Sequence, residues 1–373
     1  MRKGPAVTAL EHPRQGERRL RVLVVDDSAV MCRLIADGLS READLEVVGT
    51  ALDAFVAREL ILERAPDVLT LDLEMPRLDG LTFLRMLMAH HPMPVIVVSS
   101  LTPAGSSAAV AALRAGAVDV LAKPPAAGRA ELTAGLVARL RALRTSPPAR
   151  FQAGARQETA HRQRPLVQPA RGLVVMGAST GGIQVIEGLL SRLPENLPPV
   201  AIVQHMPRPF TRSFAERLDQ VTGLRVVEVV DGEALLPGHA YVAPGDRHLL
   251  VESGVTTLQA RLSEDPQVHH QRPSVDVLFA SAARVRGRAV VGVLLTGMGK
   301  DGAEGLGTLR RSGATTIAQS EASSVVFGMP GEAIARNAAV HVAAWPDMPA
   351  LICEAFEQAG RRAGRSHSGF DGP

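Results

Sequence analysis

Between Arg19 and Leu143 short apolar runs alternate with segments of helical length, and this alternation restricts the possible folds more than any other feature of the chain. The runs Arg21-Val22-Leu23-Val24-Val25, Glu46 to Gly49, Val68 to Leu71, Val95 to Val98 and Val118 to Ala122 read as buried strands. Strands separated by helices run parallel. The pattern therefore predicts an α/β domain with five parallel strands, helices on both faces, and ligands at the carboxyl ends of the strands.

The residues that follow each strand supply the chemistry. The first strand delivers Asp26 and Asp27, the third Asp72, the fourth Ser99, and the fifth Lys123 followed by Pro124. Carboxylates converging on one point repel one another unless a hard divalent cation neutralises them, and oxygen ligands of this kind suit Mg²⁺. A carboxylate beside such a cation can attack a phosphoryl donor while Lys123 stabilises the transferring oxygens. A single acid at a strand end is ordinarily just solvated, but that does not account for all these positions together.

On these residues, positions 20 to 143 resemble a two-component receiver domain. The resemblance implies a flavodoxin-like doubly wound sheet, with Asp72 as phosphoacceptor, Asp26 and Asp27 as the acid pair, and a sensor histidine kinase as phosphodonor. It also implies Ser99 as the switch hydroxyl, Lys123 as the phosphate partner, and Mg²⁺ held by Asp26, Asp27, Asp72 and the backbone carbonyl of Glu74. Val120 departs from the pattern, since receivers often carry there an aromatic that changes rotamer on activation. In the last helix, Leu132, Leu136, Leu140 and Leu143 form the expected core stripe.

At 373 residues the chain exceeds one ordinary core, which predicts a second domain. Aromatics are only 3% of the chain against 46% hydrophobic residues, so the cores are built of Ala, Val and Leu. Lys plus Arg number 41 and Asp plus Glu 38, and the net charge of +3 is too small to argue for nucleic acid. Cys32 and Cys353 stand alone, which argues against a disulfide framework or a zinc site and for a reducing cytoplasm. Residues 1–18 read as a polar leader without the apolar centre of a signal peptide. No apolar stretch reaches the ~18 residues that span a bilayer, so the protein is expected not to be membrane-inserted. Residues 144–171 carry six arginines, four prolines and the single acid Glu158, and read as a disordered or loosely tethered linker.

The second domain, residues 172–360, turns on one stretch. Leu173-Val174-Val175-Met176 leads into Gly177-Ala178-Ser179-Thr180-Gly181-Gly182, and large apolar residues then recur at helical spacing from Ile183 to Leu190. Strand, tight turn and helix follow. The turn fits the G-x-S-x-G nucleophile pattern, with Ser179 near outward-pointing helix amides that can support developing negative charge. It fits equally a glycine-rich phosphate or dinucleotide turn.

Two further elements bear on the choice. The strand Val200 to Gln204 ends in His205, which can face Ser179 if the two strands are neighbours. The strand pattern Arg288 to Leu295 leads into Thr296-Gly297-Met298-Gly299-Lys300-Asp301-Gly302, just before a helix at Ala303 to Arg311. Alone, Asp301 reads as a helix N-cap. Beside Ser179 and His205 it reads as the orienting acid of a triad. The chain order Ser, His, Asp differs from that of α/β-hydrolases and of the two familiar protease lineages, so a doubly wound, Rossmann-like sheet of another descent is expected. Leu224 to Val230, His239 to Ala243, His248 to Val251 and Thr256 to Arg261 read as shorter strands of a β-hairpin insertion beside that sheet. Ser274 is expected to cap the following helix, and His269 and His270 to be exposed without a metal.

This domain resembles the catalytic domain of chemotaxis protein-glutamate methylesterases, which also act as protein-glutamine glutaminases. The resemblance rests on residues 177–182, Gln204-His205-Met206, Arg272-Pro273-Ser274-Val275-Asp276, residues 296–302 and Phe327-Gly328-Met329-Pro330-Gly331. It implies hydrolysis of γ-glutamyl methyl esters on transmembrane chemoreceptors through Ser179, His205 and Asp301, with no cofactor for the esterase. The backbone N–H of Met298 is the expected oxyanion donor, beside the turn residues Thr180, Gly181 and Gly182. A receiver tethered by a linker is expected to shield Ser179 until Asp72 is phosphorylated. The tail, residues 361–373, is expected to be disordered. The alternatives are a DNA-binding output domain or a nucleotide-binding one. No helix-turn-helix is recognisable, and the full G-x-G-x-x-G spacing is missing.

Overall fold

In a computed structural model, residues 18–100, 102–123, 129–144, 165–166, 171–254 and 257–367 are described. The leader 1–17, Pro124 and most of the expected linker lie outside them.

The first sheet comprises β1 (Leu20–Val25), β2 (Leu45–Ala51), β3 (Val68–Asp72), β4 (Val95–Ser99) and β5 (Asp119–Ala122). All pairs are parallel, in the order β2-β1-β3-β4-β5. Its helices are α1 (Ala29–Leu39), α2 (Ala54–Arg64), α3 (Gly80–His90), α4 (Pro103–Arg114) and α5 (Arg129–Arg144). Side chains alternate across β1, and the two faces part accordingly. Val22 and Val24 pack with Ile35 of α1 and the stripe Leu132, Leu136, Leu140 and Leu143 of α5, while Leu23 and Val25 pack with Ile61, Phe83 and Leu113 of α2, α3 and α4. Ser28, Asp53, Asp79 and Thr102 each accept a backbone N–H in the first turn of their helices, satisfying donors that would otherwise be orphaned.

The second sheet has seven strands. They are β6 (Gly172–Ala178), β7 (Val200–Gln204), β8 (Arg225–Glu228), β10 (His239–Val242), β13 (Ala289–Leu294), β14 (Thr315–Gln319) and β15 (His341–Ala343), with a small separate sheet made by β9 (Ala234–Leu235), β11 (His248–Ser253) and β12 (Leu258–Ser263). The order is β15-β14-β13-β6-β7-β10-β8, so the chain starts at the centre, grows one way and then returns to grow the other. The helices are α6 (Gly182–Leu190), α7 (Arg208–Val221), α8 (Val275–Ala282), α9 (Ala303–Arg311), α10 (Met329–Ala335) and α11 (Met348–His367).

Three expectations need correction. Of the four short strands assigned to a hairpin insertion, β8 and β10 are parallel members of the main sheet, because Ala240, Tyr241 and Val242 are buried beside β7. Only β9, β11 and β12 form the insertion. The tail expected to be disordered from residue 361 is helical through His367, as α11 continues beyond the buried Met348, Ile352 and Phe356 with a Glu357–Arg361 pair at 3.7 Å. The linker is anchored at Leu166, which is 4% exposed. The Asn196 side-chain amide accepts the Leu166 N–H and donates to its carbonyl, both at 2.9 Å, so an apolar side chain is buried without leaving its backbone unpaired.

Candidate active site

The strands that matter are adjacent. β6 pairs in parallel with β7 on one side and β13 on the other, so the loops after these strands open at one edge. Hydrogen bonds knit them together: Ser179 N–H donates to Thr296 O at 3.0 Å, His205 N–H to Ala178 O at 3.0 Å, and the Gln204 side-chain Nε2 to Ser179 O at 2.9 Å. Gly181, at φ 77°, turns the chain into α6. Gly297 is required by contact, since a Cβ there would lie 2.7 Å from Ser179 Cβ.

His205 Nε2 lies 2.8 Å from Asp301 Oδ2. Since the carboxylate only accepts, this ring nitrogen carries the proton and Nδ1 is left to face a hydroxyl. Among the described residues no hydrogen bond joins His205 to Ser179, a slack common in enzymes without bound substrate. Asp301 is 2% exposed. It does not cap α9, whose N-cap is Gly302 at φ 86°. Its Oδ1 accepts from Ser274 Oγ at 2.7 Å and Asp276 N at 3.0 Å, and its Oδ2 also accepts from Val275 N at 2.8 Å. Burial alone would raise its pKa, but the His205 bond and the α8 amides outweigh that and hold it below the usual carboxylate range.

Ser274 therefore spends its hydroxyl on Asp301 rather than capping its own helix as expected. His269, exposed as expected, bonds Asp276 at 3.1 Å. Among the turn residues, Gly182 N–H points inward to Ser179 O at 2.8 Å, which removes it as an oxyanion donor.

The other two turn residues are held by the first domain. Thr180 Oγ donates to Asp119 Oδ2 at 2.6 Å, and Gly181 N–H donates to Val118 O at 3.0 Å. Gln184 Nε2 donates to Ala117 O at 3.1 Å, and Arg114 pairs with Glu187 at 3.2 Å. Val326, 4% exposed, and Met298 pack in one cluster with the leucines of α5. The cavity left among Val118, Asp119, Val120, Ser179 and His205 is about 10 Å³, room for at most a single water and no ester. Val120 occupies this covered interface. Nothing in the sequence pointed to Asp119 or Gln184, because a polar residue at an element's end carries no periodic signal.

At the far edge of the first sheet Asp26 and Asp72 are each 1% exposed, and Lys123 Nζ lies 3.0 and 2.7 Å from them. Burial pushes the Asp72 carboxyl up despite Lys123, and the bonds to Asp72 and Asp26 hold Lys123 above its usual value against burial. Asp27 is exposed, and oxygens of Asp26, Asp27 and Asp72 lie within 4.8 Å of one another, a donor set that fits a hard divalent cation. Glu74 donates its N–H to Asp72 Oδ1 at 3.2 Å, and its exposed carboxylate accepts the Ser100 hydroxyl at 2.5 Å. Ser99 Oγ is turned to Gly105 O at 3.3 Å rather than toward Asp72.

Comparison with known proteins bears on which of the sequence readings the chain follows. Residues 174–352 match the CheB methylesterase family, and residues 22–134 match the response regulator receiver domain. A protein-glutamate methylesterase/protein-glutamine glutaminase of Chromohalobacter salexigens is 48% identical over 349 residues, covering 92% of this chain and 98% of the relative. The chain belongs to the CheB methylesterase family. A relative with the same function in its name, from Anaeromyxobacter dehalogenans, is 49% identical over 338 residues, covering 90% and 92% of the two chains. Among solved structures, the Thermotoga maritima CheB methylesterase catalytic domain is 38% identical with a TM-score of 0.48, covering 49% of this chain and 97% of its own. Family membership removes support from the DNA-binding and nucleotide-binding alternatives. Among the described residues no helix is long and apolar enough to cross a membrane.

Proposed function

We propose that this chain is a cytoplasmic, receiver-regulated esterase that hydrolyses γ-glutamyl methyl esters on the cytoplasmic part of chemoreceptors and deamidates glutamines at the same sites. The observation that carries the reading is the His205–Asp301 pair at 2.8 Å, beside Ser179 at the ends of three adjacent strands. Residues 172–360 are the catalytic domain, and residues 19–143 the receiver.

Ser179 Oγ attacks the ester carbonyl carbon while His205 Nδ1 takes its proton. Asp301 holds the imidazole and stabilises its positive charge. The Met298 N–H supports the oxyanion, a contribution of roughly 2.7 to 4 kcal/mol where one such donor acts. The intermediate collapses, His205 returns the proton to departing methanol, and water then hydrolyses the acyl-enzyme by the same route.

In the receiver, the Asp72 carboxylate accepts a phosphoryl group from a sensor histidine kinase, and Lys123 pairs with the transferred oxygens. When bound by Asp26, Asp27, Asp72 and the Glu74 carbonyl, Mg²⁺ supplies neutralisation of the clustered negative charge. Asp72 phosphorylation draws Lys123 and Ser99 to the phosphate and loosens the face that holds Thr180 and Gly181.

Methanol release from methylated receptor membranes tests the reading, with Ser179→Ala as control. Release by the wild type and none by the variant is expected. Equal release by both would remove Ser179 as nucleophile.

A further inference from the structure

The three-stranded insertion packs against the helix whose first turn holds Asp301, and one buried histidine links the two. His248, at the start of β11, is 1% exposed. Its Nδ1 lies 3.1 Å from Ser274 N, and its Nε2 lies 3.1 Å from Pro266 O. An amide N–H only donates and a carbonyl only accepts, so Nδ1 is the acceptor, Nε2 carries the proton, and the ring is neutral in one tautomer.

The residue it grips is the one that grips the carboxylate. Ser274, 0% exposed, gives its N–H to His248 and its hydroxyl to Asp301 Oδ1 at 2.7 Å. Val275 and Asp276 add their amides at 2.8 and 3.0 Å. With His205 these donors use all of the roughly four lone-pair sites of a carboxylate. Two more bonds tie the insertion to the same segment: Asp246 N–H to Arg272 O at 3.0 Å, and Val251 N–H to Ser281 Oγ at 2.9 Å at the other end of α8. The small sheet thus straps α8 at both ends. An imidazole aimed by a carboxylate is only as well placed as the carboxylate itself.

We infer that His248 and Ser274 are positioning residues for the ester hydrolysis, setting the Asp301 carboxylate through the first turn of α8, and that the insertion serves as its support. The inference rests on the reading of Ser179, His205 and Asp301 as the triad. Both residues are buried, so their loss is expected to act on turnover rather than on binding.

The test is steady-state methanol release by the full-length protein from methylated receptor membranes, with kcat and KM separated and thermal melts run on every variant. Ser274→Ala is expected to lower kcat about ten- to a hundredfold, the effect of losing one hydrogen bond to a charged group, and His248→Leu, which removes a bond between neutral groups, about two- to tenfold, both at unchanged KM. His248→Asn, whose Oδ1 can accept the Ser274 N–H, is expected to recover most of the loss. Wild-type kcat in Ser274→Ala or His248→Leu, or an Asn variant no better than the Leu one, overturns the inference. Should His248→Leu fail to fold, Ser274→Ala decides, because it removes only a hydroxyl. Wild-type turnover in Asp301→Asn would instead sink the triad itself, and this inference with it.

Discussion

Asp119→Ala should switch the esterase part-way on without phosphorylation. In the closed arrangement Asp119 accepts the Thr180 hydroxyl at 2.6 Å, one residue from the nucleophile. It also accepts Arg139 Nε at 3.0 Å and the Val120 N–H at 2.8 Å, but these bonds lie within the receiver and persist when it swings away, so they cancel between closed and open states. What differs is one hydrogen bond to a charged group, about 1.5–3 kcal/mol. That moves the closed-to-open ratio roughly ten- to a hundredfold toward open. Carrying such an equilibrium from 1:99 to 99:1 takes about 5.5 kcal/mol, so the activation is partial. The Gly181–Val118 bond at 3.0 Å and the Gln184–Ala117 bond at 3.1 Å still hold. The half-exposed Arg114–Glu187 pair adds only about 0–1 kcal/mol. The assay is the initial rate of methanol release by the unphosphorylated full-length variant, bracketed by wild type with and without acetyl phosphate. A rate equal to that of unphosphorylated wild type, in a variant that melts normally, would refute the claim that this bond holds the receiver over Ser179.

Asp301→Asn should lower kcat by about 10⁴, as when a triad aspartate is replaced elsewhere, and turnover within tenfold of wild type would exclude it from the triad. The same residue has a pH signature in stability. Its folded pKa lies below the ordinary 3.8, so its contribution is present above 3.8 and is lost as the pH falls through the folded value. Urea melts should show wild type losing stability in that acid window relative to Asp301→Asn, and parallel curves would contradict the assignment. Gly177→Ala should destabilise the second domain by about 1–3 kcal/mol, because the new Cβ would meet Val275 Cγ1 at 2.1 Å in a packed core. An unchanged melting temperature would show that the contact relaxes.

The alternation of strand and helix and the residues closing each strand were legible without coordinates, because both depend on local periodicity and on where a run of apolar residues stops. That legibility covers Asp26, Asp72 and Lys123, the turn at Ser179, and His205 and Asp301 as candidates. Strand order was not legible, since pairing between distant segments leaves no local mark. Only the fold sets β6 between β7 and β13, bringing residues 179, 205 and 301 to one edge, and only the fold takes β8 and β10 out of the insertion and into the main sheet. The partners of Asp301 were hidden for the same reason. Ser274 reads as a cap for its own helix until tertiary packing puts a buried carboxylate across from it. Asp119 is an ordinary polar residue in the sequence, and Thr180 reads there only as part of the glycine-rich turn. They gain meaning only once the two domains press together and exclude water, because a buried hydroxyl and carboxylate must then find each other.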